Sequence, residues 1–286
     1  MARNTRKNSH AGTTSNKRHH NSRQRKTSSR KQAMRTSNKK KIRKLNIIPN
    51  KSAGQNFLTS QRVISKEINA LNMSRSDTIL EIGPGTGNLT KALCSVTNHL
   101  ILIEKDKRFK RSLFEIAKNS ANTCRIKVIW GDATDPETLQ QIRFTRVIGN
   151  LPYNLTLPII FTLLETQNFH TGVFIIQKEL AERLTARPGQ SGYGRISVYV
   201  QSFANIKALE TVKPGAFTPQ PAVESSMIIL KPHTQEFIQP LKQQHQHYAE
   251  FLKQCFVNRT HTLPYFTRPA YKANWKEFVE VFLDSV

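Results

Sequence analysis

Thr78-Ile79-Leu80-Glu81-Ile82-Gly83-Pro84-Gly85-Thr86-Gly87 is the stretch on which the reading of the chain turns. Its first half is an apolar, β-branched run and its second half is a turn built from glycine and proline, so a strand feeding a tight loop is expected. Glycine has no Cβ, and such a loop lets the backbone approach a ligand closely. The spacing is G-x-G-x-G, not the G-x-G-x-x-G of pyrophosphate binders. Taken alone it suits a nucleotide-like group or an ordinary tight turn.

Working outward, Val63, Ile64, Ile68 and Leu71 recur at helical spacing before the strand, and Leu89 to Cys94 reads as a helix after it. Leu100-Ile101-Leu102-Ile103, Ile126-Lys127-Val128-Ile129-Trp130, Arg146-Val147-Ile148-Gly149 and Gly172-Val173-Phe174-Ile175-Ile176 are four more strands, with a helix at Arg108 to Ala117. This alternation predicts an α/β fold, a Rossmann-like, mainly parallel sheet covered by helices, with ligands beyond the carboxyl ends of the strands. From residue 235 the rhythm stops, and Phe251, Leu252, Cys255, Phe256, Trp275, Phe278 and Phe282 suggest a small helical appendage.

Glu104 ends the second strand 21 residues after Gly83, where doubly wound folds place a carboxylate on ribose hydroxyls. Asp132 follows the third strand, placed to accept from an adenine amine. Each acid alone could be a solvated strand-end carboxylate; in register with the glycine loop they point to an adenosine-containing cofactor. A nicotinamide dinucleotide and S-adenosylmethionine both fit this half of the chain. No metal is expected, because Cys94, Cys124 and Cys255 are too scattered for a zinc site or a disulfide framework.

Asn150-Leu151-Pro152-Tyr153, directly after the fourth strand, discriminates between those cofactors. The lone pair of an adenine N6 amine is delocalised into the ring, so the amine is a poor nucleophile. The Asn150 side-chain carbonyl and the Leu151 backbone carbonyl could each take one amine hydrogen and turn the nitrogen toward a methylsulfonium. Pro152 fixes φ and holds the preceding carbonyl outward, and Tyr153 can stack on the purine. No strong general base is needed, because the proton turns acidic only after methyl transfer; most of the effect is orientation. The bland alternative is a β-turn after a strand.

Composition sets the partner. The chain has 286 residues and 37% hydrophobic content, enough for a core because the apolar residues concentrate between Phe57 and Leu230. Of the 44 Lys and Arg, 16 lie in the first fifty residues, which hold no Asp or Glu, so the tail supplies +16 of the +25 net charge. Such a segment cannot bury enough surface to offset its ordering entropy and is expected to be disordered. Its cations, among them Lys40, Lys41, Arg43 and Lys44, would release counterions from a phosphate backbone, pointing to nucleic acid. An organelle transit peptide is the alternative. No stretch reaches the roughly 18 apolar residues of a membrane span, so an aqueous, reducing compartment is expected: the cytoplasm, or an organelle if the tail is a transit peptide.

The combination of Gly54-Gln55-Asn56-Phe57-Leu58, the glycine loop, Ile103-Glu104, Gly131-Asp132, Gly149-Asn150-Leu151-Pro152-Tyr153 and Phe217-Thr218-Pro219-Gln220-Pro221-Ala222-Val223 resembles the ribosomal RNA adenine N6-dimethyltransferases, over about residues 52 to 270. The resemblance implies S-adenosylmethionine as cofactor, ribosomal RNA or a ribosomal subunit precursor as partner, and a monomer. It implies that Asn56 and Leu58 contact the methionine end of the cofactor, that Gly83 and Gly85 meet it through backbone, and that Glu104 holds its ribose and Asp132 its adenine. Asn150 would serve both donor and target, and Phe217 would wall the flipped adenine opposite Tyr153. Arg183, Arg187 and Arg195 would contact RNA phosphates, although each alone also suits a solvated surface. The implied organisation is a basic tail at 1–50, a catalytic domain at 51–232 and a small helical RNA-binding domain at 233–286.

The branch is ambiguous. Pro188 to Ser197 resembles the KsgA type, which modifies paired adenines near the 3′ end of small-subunit RNA. Phe251 to Arg259, with Leu263 to Phe266, resembles the Erm type, which modifies large-subunit RNA and confers macrolide, lincosamide and streptogramin B resistance. The short ending tips the expectation to Erm, with KsgA-type activity as the alternative and a non-catalytic nucleic-acid-binding factor as a further one.

Overall fold

The computed structural model describes residues 55–257 and 272–284. The tail cations Lys40, Lys41, Arg43 and Lys44, Gly54 and the Leu263 to Phe266 motif lie outside the described residues.

The chain enters at β1 (Phe57–Leu58) and α1 (Gln61–Ala70), then builds β2 (Thr78–Ile82), α2 (Asn88–Leu93), β3 (His99–Glu104), α3 (Lys110–Ser120), β4 (Arg125–Trp130), α4 (Pro136–Gln140), β5 (Arg146–Asn150), α5 (Thr156–Thr166) and β6 (Thr171–Gln177). Helices α6 (Lys178–Thr185) and α7 (Arg195–Phe203) follow, then β7 (Ala204–Val212), β8 (Phe217–Thr218), β9 (Ser225–Pro232), α8 (Gln235–Gln243), α9 (His245–Cys255) and α10 (Trp275–Leu283). The sheet has seven strands in the order β4-β3-β2-β5-β6-β9-β7. The first five run parallel, and β9 and β7 are antiparallel to their neighbours. The expected α/β, Rossmann-like sheet is present, and all five expected strands are in it.

Burial explains why those strands read clearly. Every residue of β6 except its last is buried, as is the centre of β5, because helices cover both faces of a parallel sheet and its strands become continuous apolar runs. The helical spacing of Val63, Ile64 and Ile68 does put them on the buried face of α1, and Glu67 is carried in with them, fully buried. Asp135 caps α4, its carboxylate accepting from the Glu137 and Thr138 N–H groups ahead of Pro136 at the first turn.

After residue 235 the chain is helical, and α8, α9 and α10 share one hydrophobic cluster with the sheet side, joining Ile238, Leu241, Tyr248, Leu252, Phe278 and Phe282 to Phe174 and Phe203. The buried Tyr248 hydroxyl is paired with Ser202 Oγ at 2.6 Å. Among the described residues no helix is long and apolar enough to cross a membrane.

The order of the strands positions the site. β2 pairs with β3 on one side and β5 on the other, so successive connections diverge between β2 and β5. A crevice opens at the carboxyl ends there, where open α/β sheets bind ligands.

Candidate functional site

The loop after β2 and the turn after β5 form the two lips of this crevice. Gly83, Gly85 and Gly87 all hold positive φ, at 67°, 51° and 75°. At Gly85 a Cβ would stand 2.9 Å from the Phe57 ring, so both the left-handed backbone and the close approach demand glycine. Gly149 serves a different purpose, because a Cβ there would meet the Ile82 carbonyl oxygen at 2.7 Å and push β5 off β2.

Glu104 ties the loop to β3. Its Oε2 accepts from the Gly85 N–H at 2.9 Å and its Oε1 from the Asp106 N–H at 2.8 Å. Burial raises its pKa, and these two N–H donors act against that. Each carboxylate oxygen keeps a lone pair for a further donor such as a ribose hydroxyl. Glu81 is on the cavity wall too, and burial pushes its carboxyl up to about 8. Its Oε2 is buried with no hydrogen-bond partner among the described residues.

On the other lip, Asn150 Nδ2 donates to the Asn56 carbonyl at 2.6 Å. Only the amide nitrogen can donate to a carbonyl, so this bond fixes the amide with Oδ1 as the remaining acceptor. Leu151 donates its N–H to Ile175 O at 3.1 Å, while the Pro152 carbonyl accepts from Leu155 N and the Thr156 hydroxyl. The Leu151 carbonyl takes no backbone hydrogen bond among the described residues. Tyr153 is half-buried and its hydroxyl is paired with Ser225 Oγ at 2.8 Å, which anchors the ring by its far end.

Of the expected cofactor residues, Asn56, Leu58, Gly83, Gly85, Glu104 and Asn150 line one cavity, together with Leu151, Pro152 and Tyr153. Asp132 is not among them. Its Oδ2 meets Lys105 Nζ at 2.6 Å and its Oδ1 accepts from both the N–H and the hydroxyl of Thr134. Although partial burial works the other way, those partners hold its carboxyl below the usual range. Phe217, expected against the target adenine and not the cofactor, is 2% exposed, on β8, paired antiparallel with β1 opposite Leu58, and is not among the residues lining this cavity.

Arg183 and Arg195 line a separate groove with Tyr193, Lys253 and Phe256. Arg183 also borders a depression shared with Tyr153 and Asn154, which links the groove to the crevice. Arg187 is outside both linings; its N–H donates to Gln190 Oε1 at 2.7 Å.

Sequence reasoning gave no role to Phe109 or Asn88. Phe109 lines the cavity and packs edge-on against Phe57 at 5.6 Å, and Asn88 Nδ2 holds the Leu58 carbonyl at 2.9 Å. A signal for Phe109 existed: it is the one apolar residue in Lys105-Asp106-Lys107-Arg108-Phe109-Lys110-Arg111, just beyond a strand end.

The donor set suits an adenosyl cofactor bearing a cationic centre. A glycine cradle, a carboxylate with lone pairs to spare, an orphaned buried acid oxygen at Glu81 and a fixed amide carbonyl all converge on one cavity.

Comparison with known proteins agrees with that chemistry. Residues 48–272 match the family described as Ribosomal RNA adenine dimethylase. The chain is 40% identical over 191 residues to "Probable ribosomal RNA small subunit methyltransferase A" of Thermococcus sibiricus, covering 67% of each. It is similar in structure to a dimethyladenosine transferase from Plasmodium falciparum, at TM-score 0.64 and 29% identity over 72% of this chain and 73% of that one. It also shares its fold with the 23S rRNA methyltransferase ErmE, at TM-score 0.56 and 19% identity over 79% and 98% of the two chains.

Proposed function

Because the chain belongs to the ribosomal RNA adenine dimethylase family, and is thus an rRNA methyltransferase, we propose that it uses S-adenosylmethionine to methylate the N6 amine of adenines near the 3′ end of small-subunit RNA. The expectation of Erm-type activity, and the antibiotic resistance tied to it, gives way here. Relatives named as small-subunit methyltransferases match at 40% and 35% identity over 67% and 78% of the chain, whereas ErmE at 19% shares the fold alone.

The observation that carries the reading is the Asn150 amide held by the Asn56 carbonyl at 2.6 Å, on the strand adjoining the glycine loop. When bound, S-adenosylmethionine supplies an electrophilic methyl group. Glu104 and the loop at Gly83 and Gly85 would hold the nucleoside end, and Asn56 and Leu58 the amino-acid end. Asn150 Oδ1 and the Leu151 carbonyl would accept the two amine hydrogens and draw the nitrogen lone pair out of the ring. Because acceptors fixed by the fold do not reorganise during the reaction, their effect falls on the transition state. Tyr153 would stack on the extruded base; extrusion costs a few kcal/mol, least for bases already unpaired. We assign methyl transfer to residues 51–232, and RNA engagement to the basic tail, to Arg183, Arg187 and Arg195 and to residues 233–286.

The test is incubation of the full chain and a labelled methyl donor with separated small- and large-subunit RNA, followed by primer extension. Stops near the 3′ end of small-subunit RNA are expected. Label confined to large-subunit RNA would restore the Erm-type reading, and label in neither would support a non-catalytic factor.

A further inference from the structure

Helix α3 presents a surface that the methyl-transfer site does not use. Along its outward side, Lys110, Phe114 and Lys118 follow one another at four-residue intervals and are all exposed, with Lys107 one turn ahead in the preceding 3-10 turn. Residues at this spacing share one face of a helix. Among the described residues, the side chains of Lys107, Lys110 and Lys118 have no anionic partner within the salt-bridge distance. The acid within the stripe, Glu115, faces Arg111 at 3.3 Å, with both side chains largely in water, where such a pair contributes little.

Phe114 is the second observation. It is 68% exposed, the most exposed aromatic side chain among the described residues. A single exposed apolar residue needs no explanation, and neither does a charged helix face. A phenylalanine projecting from between turns of unpaired lysines is a different feature: it adds nothing to the core, and Lys107 and Lys110, three residues apart, set like charges on neighbouring turns. Both costs are relieved by a polyanion that carries flat apolar rings. Nucleic acid has that composition, since cations track its backbone while an aromatic ring stacks on a base.

We propose that the Lys107–Lys118 face of α3 is a second RNA-docking surface, on which Lys107, Lys110 and Lys118 meet the phosphates of one strand and Phe114 stacks on an unpaired base. This rests on the family's RNA substrate but assigns a surface apart from the adenine site. Its position fits. Phe109, immediately before α3, lines the cofactor cavity, so the stripe starts at the cavity rim and leads away along the β4 edge of the sheet. The groove of Arg183 and Arg195 lies after β6, on the other side of the β2–β5 crevice in strand order. RNA engaged at both would be held on either side of the adenine to be modified.

The test uses the full chain and a fluorescent small-subunit rRNA fragment, with affinity measured across a potassium chloride titration for the unmodified protein, for Phe114→Ala, and for Lys107→Gln/Lys110→Gln/Lys118→Gln. The triple variant should lower the slope of log affinity against log salt by about 2, from three contacts to single-stranded phosphates. Phe114→Ala should weaken binding about tenfold with the slope nearly unchanged. Because these positions are exposed, thermal midpoints should match the unmodified chain. Unaltered slope and affinity in both variants would overturn the proposal, as would intact binding to naked RNA with loss only on an assembled particle, which would assign the surface to a protein partner. The readout is binding, so it stands or falls separately from methyl transfer.

Discussion

The crevice between β2 and β5 and the groove beyond β6 are neighbours, joined through Arg183, yet they are built in contrasting ways. In the crevice the two groups that matter most are held by backbone: Glu104 by the N–H groups of Gly85 and Asp106, Asn150 by the Asn56 carbonyl. In the groove, Arg183 and Arg195 come from two helices and have no acid within salt-bridge distance among the described residues. A site that must stabilise one transition state needs fixed acceptors; a surface that follows a phosphate strand needs cations with latitude. The first should be intolerant of single changes and the second forgiving.

The largest effect is expected at the fixed acceptor. Asn150→Ala should lower methyl transfer by about 100-fold or more, with cofactor binding retained in calorimetry. A variant of near-normal rate would remove the amide from the mechanism. Next, Glu104→Gln should weaken cofactor binding about tenfold to 100-fold, because it removes the charge that accepts two buried N–H groups. Asp132→Asn is the sharper half of that pair. Its carboxylate is engaged with Lys105 and Thr134 outside the cavity lining, so affinity should change only about twofold to threefold. Equal losses at both acids would return Asp132 to the adenine. In the groove, Arg183→Ala should weaken RNA binding several-fold and reduce the salt slope by about 0.7, leaving cofactor affinity untouched.

The smallest effect concerns two buried acids, Glu67 and the cavity-wall Glu81. Glu67 and Glu81 are both raised by burial, Glu81 to about 8, and both Glu67 carboxyl oxygens are without a hydrogen-bond partner. A carboxyl with a raised folded-state pKa binds more protons folded than unfolded. Its contribution is therefore fully present below about 4.5, the unperturbed value, and is lost as pH rises through the raised folded-state value, which for Glu81 is about 8. Glu67→Gln should thus raise the thermal midpoint at pH 8 by on the order of 5 °C and change it much less at pH 5. An equal gain at both values would mean that packing, and not ionisation, is responsible.

The same contrast governs what was legible in the sequence. Strands β2, β3, β5 and β6 read as apolar runs because they lie inside the sheet and are largely buried, whereas the edge strand β4 has no buried residue; the glycine loop and Asn150-Leu151-Pro152-Tyr153 are local in sequence. By contrast, β7 is an edge strand with a bulge between Ala208 and Glu210 and an irregular burial pattern, so it left no clean period to read. Asp132 was placed correctly at a strand end, but Lys105, brought alongside by the pairing of β3 and β4, fixes where its carboxylate points. Phe217 is paired with Leu58, a partner far away in the chain that no local pattern reveals. The subunit choice rested on residues after 180, where the two family patterns mix, and relatives similar over most of the chain were needed to weigh it.

Nucleoside analysis of the product tests the central claim most directly. Small-subunit RNA treated with the full chain and S-adenosylmethionine, digested and resolved by mass spectrometry, should yield N6-methylated and N6,N6-dimethylated adenosine, and neither when Asn150 is replaced by Ala. Methyl groups on another base or on ribose, or undiminished N6 methylation by the Asn150 variant, would contradict it.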